Sequence, residues 1–162
     1  MSETLAIVPS ERLWPPLGDA DFTFAIRRYV EEKVFPEADR IDADDIYPAG
    51  LAKDLALKGY SAITLPAAYG GGDRSFAYAL AAFEEIAVGS AALAVALLTT
   101  FQAQTIIRLF GSEALKAQYL PRFASGLLGS YALTEAAHGS DIRSLDTKAE
   151  RRGETWILNG EK

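Results

Sequence analysis

The chain has 162 residues, is 49% hydrophobic and carries 22 acidic against 16 basic side chains, for a net charge of −6 at pH 7. This length supports about one domain core, and the acidic balance argues against a nucleic-acid partner, which would need clustered Lys and Arg. The lack of cysteine excludes disulfides, thiolate catalysis and cysteine-based zinc sites, and fits a reducing compartment.

Met1 to Ser10 include Glu3 and no basic n-region, so neither a secretory signal nor an Arg-rich transit peptide is expected, and the cytoplasm is the expected location. Residues 1–17, with Pro9, Pro15 and Pro16, read as an irregular lead-in. Asp19 suits the N-cap of a helix whose Phe22, Ile26, Tyr29 and Val30 share one face. Pro36 is expected to interrupt it. Glu37 to Asp45 read as a short acidic helix, and Pro48 suits the first turn of another, running through Leu51, Leu55 and Lys58 to Gly59. The acidic run Asp39 to Asp45 reads as a solvated face, because nothing at ligand spacing joins it, and no metal site is expected.

Ser61 to Leu65 read as a short extended segment entering Pro66-Ala-Ala-Tyr-Gly-Gly-Gly72. The glycines invite a phosphate reading, but the Gly-Lys-Ser/Thr of a P-loop and the spacing of a dinucleotide fingerprint are both missing. Ser75 is placed to cap a helix with Phe76, Leu80, Phe83 and Ile86 inward, and Gly89-Ser90 to break it. Ala91 to Phe110 have no charge before Arg108, which superficially resembles a membrane span. Gln102, Gln104 and the many alanines favour a helix buried on all sides of a bundle, with Leu97, Leu98 and Phe101 as core. Gly111 ends that helix, Ser112 caps the next, and Leu115, Tyr119 and Leu120 carry it to an end between Pro121 and Gly126.

The pattern then changes. Leu127 to Leu133 form an apolar run ending in Thr134 and Glu135, which reads as a strand delivering its end to the small-residue turn Ala136 to Ser140, closed by Asp141. Hydroxyls at Thr134 and Ser140, with backbone N–H groups around Gly139, suit the edge of a flat heterocycle and an anionic phosphate. Many Gly-Ser-Asp turns bind nothing, so these residues alone do not decide the matter. Thr147 to Arg152 alternate in period two, Gly153-Glu154 turn the chain, and Thr155 to Asn159 alternate again before Gly160, which reads as a β-hairpin.

Taken together, Thr134-Glu135, Gly139-Ser140-Asp141, Thr147, Ala149, Gly153, Leu158-Asn159-Gly160 and Lys162 resemble the signature of the acyl-CoA dehydrogenase family. There a Thr-Glu-Pro…Gly-Ser-Asp segment leads into a strand ending Leu-Asn-Gly-x-Lys. Pro66…Tyr69-Gly70-Gly71 resembles the family's Pro-x-x-Tyr-Gly-Gly turn, and Gly111-Ser112-Glu113…Tyr119-Leu120-Pro121…Gly126 also fits. The resemblance therefore runs from about Asp19 to Lys162. Ala136 stands where the family has proline and His138 where it has a small residue, departures that bear on loop shape and substrate.

The resemblance implies a mainly α fold, with a helical domain over residues 1–126 and the beginning of a middle β-barrel domain over 127–162. It implies that this is a fragment: the rest of the barrel and a C-terminal four-helix bundle carrying the catalytic glutamate lie beyond Lys162, so no catalytic residue is assigned here. The implied reaction is α,β-dehydrogenation of an acyl thioester with FAD as hydride acceptor, in fatty acid metabolism. Tyr131, Leu133 and Thr134 are expected to hold the flavin ring, Gly139 and Ser140 its pyrophosphate, with Ser140 also near the thioester arm. Leu97, Leu98 and Phe101 are the candidates for the acyl pocket. Glu135 is expected to be structural and His138 a loop surface residue. The implied partners are an acyl-CoA or acyl-carrier thioester and an electron-transfer flavoprotein, in a homodimer or homotetramer, with neither nucleic acid nor membrane. Alternatives on the same fold are a dehydrogenase of carrier-bound acyl groups, a flavin mono-oxygenase-like relative and a non-catalytic module.

Overall fold

The computed structural model describes residues 19–162, so the lead-in read over residues 1–17 lies outside the described residues. The chain forms two compact units, one ending at Gly129 and the other comprising Ser130–Lys162.

The first unit is helical. Helix α1 (Ala20–Tyr29) starts where the Asp19 carboxylate accepts the Phe22 N–H at 3.0 Å, and it turns Ile26 and Tyr29 inward. Pro36 does not interrupt the helix as expected. Val30–Val34 widen into a π-helical turn, with the Phe35 N–H reaching back to the Val30 carbonyl. Pro36 then falls in the first turn of α2 (Phe35–Ala43), where its missing N–H costs no helical bond. Helix α3 (Ala49–Leu57) follows Pro48 and buries Ala52, Leu55 and Ala56.

Ser61 to Leu65 are a series of turns rather than an extended segment. The cause is backbone pairing across the glycine loop: Gly72, Asp73 and Arg74 donate N–H to Ala62, Leu65 and Ile63 carbonyls at 2.9–3.0 Å.

Helix α4 (Phe76–Gly89) buries Ala79, Ala82, Glu85 and Ile86, while Phe76 and Leu80 are 56% and 53% exposed. The expected inward set is thus replaced in part by alanines, whose small side chains let α4 lie close to α1 and α5. Gly89 serves the same approach, since a Cβ there would run into Val30 and Val34. Ser90 ends α4 and caps α5 (Ala91–Phe110), accepting the Leu93 N–H at 3.3 Å.

Helix α5 is buried along one side, not all round. Leu93, Leu97, Thr100, Phe101 and Gln104 face the core, whereas Val95, Ile106, Leu109 and Phe110 are exposed. Its principal neighbours are α3, α4 and α6 (Glu113–Ala124), which leave the opposite stripe uncovered. By length and composition α5 is apolar enough to cross a membrane, as the sequence suggested. Its packed stripe, with the Gln104 amide donating to the buried Ser61 carbonyl, is that of a bundle core helix.

The second unit is small. No sheet ladder includes Leu127 to Leu133, so the expected strand is absent; a strand is held by a neighbouring strand, and among the described residues this segment bonds instead to the Arg122 carbonyl, the Thr100 hydroxyl and the Lys162 ammonium. The hairpin is present: β1 (Lys148–Arg152) and β2 (Thr155–Asn159) pair antiparallel, with Ala149 opposite Leu158 and Arg151 opposite Trp156. The architecture is mainly α with a short β start.

Candidate functional site

The loop between Leu133 and Thr147 gathers most of the residues singled out in the sequence. Its base is closed by an isolated bridge, in which the Glu135 N–H donates to the His138 carbonyl at 3.0 Å and the His138 N–H returns the bond at 3.1 Å. Asp141 shapes the far side, its carboxylate accepting the Arg143 N–H at 3.3 Å and the Ser144 hydroxyl at 2.6 Å.

Glu135 is the one buried residue of the second unit. Its carboxylate accepts N–H groups from Asp146 at 2.6 Å and Thr147 at 3.1 Å, and meets the Lys162 ammonium at 2.7 Å. Lys162 also donates to the Leu133 carbonyl at 3.1 Å. The Lys162 contact first, then the two backbone N–H groups of Asp146 and Thr147, hold this carboxyl down at about 2, against the opposing push of burial. An acceptor so engaged is a poor proton carrier at neutral pH, which fits a structural role.

His138 is part-buried, with Nε2 lying 3.3 Å from an Asp146 carboxylate oxygen. Glu135, His138 and Asp146 bring ligand atoms within 4.8 Å of one another, but the Glu135 oxygens are already committed to Lys162 and two N–H groups.

The other predicted residues are arranged around this base. Tyr131, Thr134, Gly139 and Ser140 are exposed and Leu133 is half-buried. Among the described residues the Thr134 and Ser140 hydroxyls make no hydrogen bond, and the N–H groups of Gly139 and Ser140 find no acceptor. The loop thus displays hydroxyl and amide donors that its own backbone does not use. Leu97 and Phe101, one turn apart, face the helical core, where the Phe101 ring packs 5.8 Å from Phe83 and 5.9 Å from Phe76. Leu98 is 37% exposed on the outer side of α5. These three do not share a face.

The glycine loop behaves differently. The five N–H groups from Gly70 to Arg74 are all spent on carbonyls of Pro66, Ala67, Ala62, Leu65 and Ile63, which leaves nothing to cradle a phosphate. A cleft of about 390 Å³ beside it is walled by Phe22, Tyr60 and Arg74. Arg74 pairs with Asp19 at 2.8 Å and stacks over Tyr78 at 4.6 Å.

The pairing of Lys162 with Glu135 was missed in the sequence. Its signal is the hairpin: Asn159 returns opposite Lys148, so the chain after β2 comes back to the base of the loop. Gly160 permits this, with φ at +152° and no room for a Cβ against Thr147.

The family model described as acyl-CoA dehydrogenase, N-terminal domain, matches residues 19–127. A glutaryl-CoA dehydrogenase of Desulfococcus multivorans is 36% identical over 142 residues, covering 85% of this chain and 36% of that protein. Among solved structures, a glutaryl-coenzyme A dehydrogenase in complex with glutaryl-CoA superposes with a TM-score of 0.84 at 31% identity, over 93% of this chain and 39% of that one. A glutaryl-CoA dehydrogenase from Mycobacterium smegmatis in complex with FADH2 gives 0.83 at 27%, over 90% and 38%. The chain spans about a third of the length of the curated relatives it matches.

Proposed function

The chain belongs to the acyl-CoA dehydrogenase family, and we propose that it contributes the helical domain and the first part of the flavin-binding β-domain to an enzyme that desaturates acyl thioesters. On this reading the described residues up to 126 form the helical domain and residues 127–162 begin the middle β-domain. FAD, when bound, supplies the hydride acceptor for α,β-dehydrogenation.

The observation that carries the reading is the set of unused donors on a pinned loop. The Thr134 hydroxyl and the backbone from Tyr131 to Leu133 meet the acceptor edge of the ring system, while the N–H groups of Gly139 and Ser140 and the Ser140 hydroxyl meet the pyrophosphate. Donors fixed before the ligand arrives need little reorganisation when it binds. Ser140 also lies at hand for the thioester arm. Leu98 is the member of the acyl-pocket set with exposed surface, and Leu97 and Phe101 stiffen the helix behind it.

Glu135 is not the base in this scheme; its lone pairs are committed to the loop. The remaining assignments follow family membership: an acyl-CoA substrate, electron transfer to an electron-transfer flavoprotein, a homotetramer, a cytoplasmic location and a role in fatty acid metabolism. The test is to purify the protein from its complete reading frame, record the visible spectrum and add a panel of acyl-CoA thioesters without oxygen. Bound FAD that bleaches with one of them is expected. A colourless protein that takes up no FAD, or a flavin that no thioester reduces, overturns the reading.

A further inference from the structure

From residue 136 to 147 the loop buries no side chain, and the hairpin that follows is exposed along both strands. Apolar packing therefore does not fix the shape of the segment that presents Thr134, Gly139 and Ser140. What converges there is polar: four bonds tie the Glu135 carboxylate and the Lys162 ammonium to Asp146, Thr147, Leu133 and each other. These tie points lie on both sides of the donor-bearing segment. Leu133 immediately precedes Thr134, while Asp146 and Thr147 close the loop's far end.

We propose that Glu135 and Lys162 are a positioning pair, whose contact holds Thr134 and the Gly139-Ser140 turn in the geometry that binds the flavin. The proposal rests on the flavin reading above and adds to it the residues that set the site's shape without touching the cofactor. Both partners are needed. Removing the ammonium leaves a buried carboxylate short of its counter-charge and frees the Leu133 carbonyl, whereas removing the carboxylate frees two N–H groups and Lys162 at once. A guanidinium at position 162 keeps the charge and both donor contacts, so Lys162→Arg is the conservative control.

The experiment compares wild type, Lys162→Met, Lys162→Arg and Glu135→Gln in the protein from the complete reading frame. It measures FAD affinity by titration, the visible spectrum of the bound flavin, and amide hydrogen exchange of the apoprotein. Lys162→Met is expected to bind FAD about tenfold more weakly, to shift the flavin band and to speed exchange between Leu133 and Thr147, with exchange in the helices unchanged. Lys162→Arg should recover most of the affinity and the band position, which a merely stabilising contact would not require. Wild-type affinity and spectrum in Lys162→Met overturn the proposal. If that variant does not fold, Glu135→Gln carries the same comparison, because it removes the charge that pairs with Lys162 while its one carbonyl oxygen still accepts one of the two N–H groups of Asp146 and Thr147. A wild-type protein that binds no flavin sinks the flavin reading itself, and this shows before any variant is compared.

Discussion

At the scale of single residues, two kinds of polar group share the loop and predict opposite behaviour. Glu135 is fully engaged, whereas the hydroxyls of Thr134 and Ser140 are engaged with nothing among the described residues. Ser140→Ala should therefore leave the melting temperature of the apoprotein unchanged and weaken FAD or thioester binding by about 1–3 kcal/mol, since the loss falls on the bound state. Equal binding with a lowered melting temperature would show that the hydroxyl serves the turn instead. Glu135 acts through pH. Its carboxyl is lowered to about 2 in the fold from an ordinary value of 4.5, so its contribution is present above about pH 4.5 and is lost as pH falls towards 2. Amide exchange at Asp146 and Thr147 should stay slow from pH 7 to 5, after correction for intrinsic rates, and lose protection below pH 4. Protection already lost between pH 7 and 5 would contradict this role for Glu135.

Whole elements show where local chemistry dominates and where packing does. The caps expected at Asp19 and Ser112 sit at their helix starts, because a side-chain acceptor three residues ahead of a free N–H is a local arrangement that the sequence spells out. Ser75 also precedes its helix but its hydroxyl makes no cap bond, whereas Ser90, read only as a break, caps α5. The inner face of α4 was misread for the opposite reason. Phe76 and Leu80 carry the larger apolar areas, yet the neighbouring helices come close enough that Ala79 and Ala82 fit between them. A hydrophobic pattern ranks side chains by transfer energy and contains nothing about helix separation. The π-turn at Val30–Val34 was likewise invisible, since it depends on where the chain absorbs an extra residue ahead of Pro36. Gly89→Ala tests the packing directly. A methyl group forced against Val30 and Val34 should cost about 1–3 kcal/mol in urea unfolding, and a neutral result would mean that α4 and the π-turn separate freely.

For the molecule as a whole, the functional loop was legible as a motif and its construction was not. Thr134, Gly139 and Ser140 stand out because small and hydroxyl residues gather within a few positions. The contact that closes the base joins Glu135 to Lys162 across 27 positions, and only the hairpin's return brings the two together. The strand expected over Leu127 to Leu133 failed on the same ground: an apolar run describes one chain, whereas a strand is a property of two. Tyr131, Thr134 and the whole hairpin are exposed within these 162 residues, so the chain by itself is expected to retain FAD weakly and to oxidise no thioester. Turnover by the isolated chain would contradict that.

Thr134 is the residue whose loss decides the matter, and the deciding measurement is the FAD dissociation constant of Thr134→Val against wild type, both made from the complete reading frame. Valine keeps the shape and removes a hydroxyl that no group among the described residues uses. The predicted result is affinity lower by about 5- to 150-fold, the equivalent of 1–3 kcal/mol, with the apoprotein melting as before. Unchanged FAD affinity and spectrum in a variant whose apoprotein melts earlier would contradict the assignment of this loop to the flavin.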